Sequence, residues 1–515
     1  LTRARRSGYD PHHHVSGWDS RWTVKEAILL TSRETIALSV LLFLTFAVRA
    51  VGLNQPIVEN YVGRQIPTAM VARNLERSSG FLRPQLDTAP YPNLFLVEPP
   101  IYAAAVVGLR WLTGLALEPA GRLLSALATV LASWGMFGLA RRREGPRAAL
   151  LAVAAFAVFP LTLRYGRSFQ PDALMLGTML AGLRCWDEHE AGRGFAWLAL
   201  GWVLLATGLA LKIVSVYLMF PLMLIIRRPP QRIKRVLALG LVLPALCWYV
   251  HAAIVIGEGG GSRASADNGA IWLRALIPSA LFRVETLRDA ARFLAVRAFT
   301  PLGLVLAVWG LCRSDRLWRL WGLSALSVLA LLAAKLHHEY YWLALAPIAA
   351  IGVGRGLTLL AARRSWLAAG VGLALAGLSL LQARSTWCTP PEWATLPEAA
   401  RAVRVLVAPG DLVVAPEALL YAADRRGCRL ELDRSAARRA AGEWGAALAG
   451  DSPLGLVEFY QARGARFVAI PAVSNEHGAR GAGRLALQEA IRRRYNVLVD
   501  GPAVLIALLS DLPGK

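Results

Sequence analysis

The chain has 515 residues, of which 56% are hydrophobic and 18% charged, with a mean hydropathy of +0.44. That is too apolar for a soluble enzyme of this length or for a disordered chain. The formal charge of +23 comes from 57 basic and 34 acidic residues. The basic residues do not form one patch among aromatics, which argues against nucleic acid as a partner. They fall in short runs between long apolar segments, such as Arg141-Arg142-Arg143, Arg227-Arg228 and Arg363-Arg364, as in the cytoplasmic loops of a polytopic membrane protein.

Residues 1–33 carry Arg3, Arg5, Arg6 and His12-His13-His14 without a cleavage-site pattern, and read as a cytosolic tail with solvated histidines. A span needs about 20 mostly apolar residues. Candidates run roughly over 34–52, 121–140, 148–164, 172–186, 195–211, 212–226, 235–256, 297–312, 318–334, 342–360 and 366–383. The apolar stretch 101–117 is short and interrupted by Arg110. If the N-terminal arginines and the run from Arg141 to Arg147 both face the cytoplasm, only one span fits between the first loop and that run. The stretch 101–117 then lies in the interface. The expectation is about eleven transmembrane helices in 34–384, with a first outside loop at 53–120.

Residues 385–515 differ in composition, with polar helical stretches between β-like runs such as Leu412-Val413-Val414 and Arg466 to Ile470. They read as a small extracytoplasmic α/β domain. No internal repeat is evident, which weakens an inverted-repeat transporter reading. No pair among the five cysteines has metal-ligand spacing. Export of the tail allows Cys388 and Cys428 either to bridge or to stay free.

Polar chemistry collects on the expected outside. The first loop holds Glu59, Arg64, Gln65, Asp87 and Glu98. A carboxylate at the membrane face can accept a proton from an acceptor hydroxyl, and arginines can hold a lipid phosphate. The second outside turn carries Arg167 and Asp172, the latter also a candidate helix cap. Lys212 interrupts an apolar run, and an intramembrane lysine is costly unless it faces a polar partner. The fourth turn reads Lys335-Leu336-His337-His338-Glu339-Tyr340-Tyr341. Its adjacent His-His-Glu matches no helical metal-ligand pair, so His338, Glu339 and Tyr341 are read as groups that hydrogen-bond phosphate or sugar.

These strings resemble a bacterial branch of glycosyltransferase family 39, which includes the dolichyl-phosphate-mannose protein mannosyltransferases and the lipid A aminoarabinose transferases. The resemblance rests on Glu59, Arg64-Gln65, Thr68-Ala69, Ala72-Arg73-Asn74, Pro84 to Asp87, Glu98 to Tyr102, Arg167 with Pro171-Asp172, and His338 to Tyr341. In the tail, Tyr421 to Gly427 is similar to a Tyr-Ala-Asp-Arg-Lys-Gly element. It implies a GT-C membrane fold and inverting transfer of a sugar from a polyprenyl-phosphate donor to a lipid, glycan or protein acceptor. The site would lie on the outer face of a bacterial inner membrane. Glu59 would then be the general base, with Asp87, Glu98 or Asp172 orienting the acceptor or sugar. Arg64, Arg167, Lys212 and His338 would neutralise the phosphate. Many members carry an Asp-Glu pair where this chain has Val58-Glu59. One carboxylate is thin support for a divalent metal, and no cofactor is expected. The alternative reading is a non-enzymatic transporter or flippase of a polyprenyl-linked lipid or polysaccharide.

Overall fold

The computed structural model describes residues 31–59, 62–77, 79–258, 263, 283–448, 452–472 and 479–511. The tail histidines and most of the loop 257–296 lie outside these residues. The first part of the chain is helical: α1 (Ser32–Ala50), α2 (Val62–Glu76), α3 (Ile101–Thr113), α4 (Leu117–Glu144), α5 (Pro146–Val158), α6 (Pro160–Tyr165), α7 (Asp172–Glu190) and α8 (Phe195–Leu211). Further helices include Gln231–Leu239, Leu243–Glu258, Pro301–Leu311, Arg316–Leu331, Ala346–Arg363 and Ser365–Ala383.

Among the described residues, four helical segments are long and apolar enough to cross a bilayer: Leu117–Glu144, Gln231–Glu258, Glu339–Arg363 and Ser365–Trp393. A fifth is counted if Val284–Ala298 and Pro301–Leu311, bent by 102°, form one broken span. Several expected spans are shorter or interrupted for local reasons. Proline begins α6 and ends α5. Lys212 is extended (φ −156°, ψ 112°) between α8 and the 3₁₀ turn Ile213–Leu218. With 13 residues, α3 is about 20 Å long and does not reach across a hydrocarbon core of about 30 Å.

Helix α1 starts where a capping box allows it. The Thr31 hydroxyl accepts the Glu34 backbone N–H, and the Glu34 carboxylate accepts that of Thr31. Helices α4 and α7 cross closely because the contact is built from small residues. A side chain at Gly135 would strike the Leu180–Ala181 backbone, and one at Gly177 the Ala128 carbonyl.

Ion pairs then fix which helix ends share a face. Arg141 meets Glu34 at 3.1 Å, Arg143 meets Asp187 at 2.7 Å, Arg142 meets Glu188 at 2.8 Å and Arg355 meets Glu144 at 3.5 Å. The start of α1 and the ends of α4, α7 and Ala346–Arg363 therefore gather at one end of the bundle. The end of α1, the starts of α4 and α7, and the turn at 335–341 lie towards the other.

The C-terminal part is a five-stranded sheet of order β2-β1-β3-β5-β4, with β1 (Leu412–Ala415), β2 (Gly427–Arg429), β3 (Ala465–Pro471), β4 (Tyr495–Asp500) and β5 (Val504–Asp511). β1 pairs in parallel with β2 and β3, and β5 runs antiparallel to β3 and β4. The two β-like runs of the sequence are β1 and β3, neighbours in the centre of the sheet. The edge strand β2 is covered by the first loop: Ala89 donates its N–H to the Gly427 carbonyl at 2.8 Å, and Gly427 donates to the Asp87 carbonyl at 3.1 Å. An edge paired in this way is closed to other chains. Cys388 and Cys428 are both free thiols, the first exposed and the second buried in β2, so the bridge is not formed.

Candidate functional site

The expected site residues separate into two groups. The first ties backbone together. Arg122, at the start of α4, donates from Nε and Nη2 to both oxygens of Glu59 at 2.7–3.1 Å. It also donates to the carbonyls of Leu53 and Pro56, each at 2.9 Å, and to that of Gln55. Arg122 and Glu59 are 0% and 1% exposed. Gln65 donates to the Glu59 carbonyl at 2.5 Å and accepts the Phe169 N–H at 2.8 Å. Arg167 donates to the carbonyls of Gly52 at 2.8 Å and Thr386 at 3.1 Å. Asp87 accepts from Asn74 at 3.1 Å and is ion-paired with Arg73, at the junction with the sheet domain. Glu59, Gln65, Arg167 and Asp87 thus hold the first loop and the turn after α6 in register.

The second group is a buried polar cluster around Lys212. Its Nζ lies 2.7 Å from Asp172 Oδ1, with the side chains 7% and 2% exposed. Asp172 is the first residue of α7 rather than its cap, and the helix N-terminus favours its negative charge. The other oxygen of Asp172 is buried and makes no hydrogen bond among the described residues. Nζ also sits 4.2 Å from the Tyr340 ring centroid and 5.5 Å from that of Tyr341, a favourable place for a cation. His338 stacks on Tyr340 at 5.5 Å. Burial, then the charges of His337 and Lys335, push its imidazole down to about 3. A lowered basicity fits the reading of His338 as a group that hydrogen-bonds phosphate or sugar better than its reading as a cation.

Arg64, on α2, lies within electrostatic reach of both Lys212 and His338. It is ion-paired with Glu98 and stacks over Phe95. Arg64 and Glu98 line a small cavity of about 20 Å³ with Thr68, Phe95, Tyr102 and Pro171, the residue just before Asp172. Glu339 accepts from Arg297 at 2.8 Å and from the Tyr165 hydroxyl at 3.2 Å, with Arg164 at 3.7 Å. Among the described residues no group of three or more His, Cys, Asp or Glu side chains is arranged to hold a metal ion.

Sequence reasoning passed over Arg122 and Arg297, and it quoted Tyr340 only within the His338 to Tyr341 string, without a role. Arg122 carried the signal that singled out Lys212, a lone charge at the edge of an apolar span. Arg297 is ordinary in sequence, and the placement of Tyr340 under the Lys212 ammonium is visible only in space.

The fold is shared with membrane glycosyltransferases. ArnT from Cupriavidus metallidurans, solved bound to undecaprenyl phosphate, superposes with a TM-score of 0.63 at 13% identity, over 93% of this chain and 98% of that one. AglB, the archaeal oligosaccharyltransferase from Archaeoglobus fulgidus, solved with an inhibitory peptide and a dolichol-phosphate, gives 0.54 at 12% identity, over 85% and 69%. The arabinofuranosyltransferase AftD from Mycobacteria gives 0.54 at 16% identity, over 94% of this chain and 40% of that much longer one. All three are GT-C glycosyltransferases, so the chain has the GT-C fold. A family model described as dolichyl-phosphate-mannose-protein mannosyltransferase matches residues 97–253, which bears out the resemblance drawn from the motif strings. No curated protein sequence matches the chain.

Proposed function

We propose that the protein is an inverting glycosyltransferase that moves a sugar from a polyprenyl-phosphate donor to a lipid, glycan or protein acceptor on the outer face of a bacterial inner membrane. The observation that carries the reading is the buried Lys212–Asp172 pair on two tyrosine rings, with Arg64 close by, in a GT-C fold. The polyprenyl phosphates bound in the ArnT and AglB structures support this choice of donor.

In the proposed reaction the acceptor oxygen or nitrogen forms a bond to the anomeric carbon. The bond from that carbon to the phosphate oxygen breaks, and polyprenyl phosphate leaves with the electron pair. Lys212 and Arg64 stabilise the charge that develops on the leaving phosphate, with His338 and Tyr341 as hydrogen-bonding neighbours. Preorganised groups of this kind often supply the largest catalytic contribution. Asp172 keeps Lys212 charged and aimed. Glu98 takes the acceptor proton, because it lines the cavity beside Arg64 and keeps 12% of its side chain exposed. Glu59, fully engaged by Arg122, becomes a positioning residue, and Asp87, Gln65 and Arg167 share that role.

The topology that accompanies this reading has eleven crossings in 34–384, residues 1–33 inside, and 53–120 and 385–515 outside. A transporter of the same lipid would need polar groups along a path through the membrane. Here the Lys212 cluster and the basic ion pairs sit at opposite ends of the bundle, which favours the enzyme. Incubating the purified protein with labelled polyprenyl-phosphate sugars tests the reading: an enzyme consumes one of them, whereas a flippase moves the intact lipid across liposomes without cleaving it.

A further inference from the structure

A second, larger cavity, of about 660 Å³, lies between the sheet domain and the helical part. Its walls come from the loop after α1 (Asn54 to Val58), the start of α4 (Glu118, Pro119), α2 (Ile66), and the helices Leu396–Leu406 and Glu417–Ala423. It is separate from the Lys212 cluster. On α2, Arg64, Thr68 and Val71 share the face that lines the first cavity, and Ile66 points about 200° away from Arg64.

The lining is chemically divided. Ile57, Val58, Ile66, Leu396 and Ala400 make an apolar wall. On the helix Leu396–Leu406, Pro397, Ala400, Arg401 and Arg404 follow helical spacing and face the cavity, the two arginines being exposed at its rim. Glu118 and Tyr421 also line the cavity, and the carboxylate is engaged in accepting the Tyr421 hydroxyl at 2.9 Å. Beside Arg404, Val405 is 84% exposed, which suits a helix with an apolar surround and arginines that reach to its edge.

We infer that this cavity binds an anionic lipid, with the headgroup phosphate at Arg401 and Arg404 and the chain along Ile57, Val58, Ile66 and Ala400. Arginine suits a phosphate oxygen pair, and the apolar wall suits a hydrocarbon chain rather than a soluble anion. The lipid would bridge the bundle and the sheet domain. The level at which the cavity meets the bilayer rests on the topology proposed above, but the binding itself does not depend on the catalytic reading.

The test uses the full chain in detergent, with retained dioleoyl phosphatidylglycerol and phosphatidylcholine counted by native mass spectrometry. Phosphatidylglycerol should be retained in preference. Arg401→Glu should weaken retention by about 5-fold or more, since each basic residue near an anionic lipid surface contributes about that factor. Arg401→Lys should keep most of it, and Lys212→Met combined with Asp172→Asn should keep it fully. Equal retention of the two lipids, no effect of Arg401→Glu, or displacement of the lipid by millimolar inorganic phosphate would each overturn the inference.

Discussion

The Lys212 ammonium and the Asp172 carboxylate meet at 2.7 Å although they are 40 residues apart and both buried. The contact exists because two irregularities coincide: the helix break at Lys212 and the start of α7 after Pro171. A continuous helix through 195–226 would have turned Lys212 with its apolar neighbours. The break turns its stem towards Tyr340 and Tyr341 instead.

Lys212→Ala should lower donor turnover by about 10²–10³-fold, the usual effect of removing one group that stabilises developing charge. It should also destabilise the fold, by about 3–5 kcal/mol, because Asp172 is left buried and unpaired. Lys212→Met with Asp172→Asn should recover most of the melting temperature without recovering turnover. Recovery of both would make the pair a structural contact.

Glu98 and Glu59 should separate in a paired experiment. Glu98→Gln should reduce kcat by about 10²–10⁴-fold while donor binding, measured directly, is retained. Glu59→Gln should instead act through stability, since it breaks the buried contact with Arg122, and the folded fraction should keep its chemical rate. A stable Glu59→Gln protein with a purely chemical defect would return the base role to Glu59.

How much of this was legible in the sequence differs by residue. The strands at 412–414 and 466–470, the helical character and the pairing of Lys212 with a polar partner follow from patterning and the cost of burying charge. The roles within the first loop do not. Glu59 and Glu98 look equivalent in sequence, yet one faces Arg122 across a 63-residue separation and the other lines a cavity with Arg64. Pairing of that range is set by helix packing, which local sequence does not encode. The same holds for His338: the lowering of its basicity follows from burial first and from the neighbouring cations second, and a histidine pair in a polar string gives no sign of either.

Docking of the sheet domain should be insensitive to mild acid. Arg77 donates to Asp424 at 2.7 and 2.9 Å, and this contact holds the Asp424 carboxyl below the ordinary carboxylate range. Its contribution is therefore complete above the unfolded-chain value of about 3.9 and is lost only as pH falls through the lower folded value. Asp424 is 43% exposed on its side chain, so the contribution is about 0.2–1 kcal/mol. Limited proteolysis of the domain should be flat from pH 8 to 5, and Asp424→Asn should raise cleavage equally across that range. Protection that changes near pH 6 would point to a different contact. Asp424 has φ 52°, a left-handed conformation that asparagine tolerates, so this substitution isolates the charge.

Topology is testable with single cysteines in a background lacking the native five. Arg493→Cys, exposed on the sheet domain, should react with an impermeant thiol reagent in cells whose outer membrane is permeabilised. Arg364→Cys, in an exposed basic turn, should react only after the inner membrane is opened. The reverse pattern would invert the proposed orientation.

The most direct measurement of the central claim is single-turnover release of polyprenyl phosphate from a labelled polyprenyl-phosphate sugar, with wild type and Lys212→Met/Asp172→Asn compared at equal folded concentration. The account predicts release by wild type, transfer of the sugar with inversion at the anomeric carbon, and loss of release in the variant. Equal release by both proteins, or no release from any polyprenyl-phosphate sugar by the folded wild type, would contradict it.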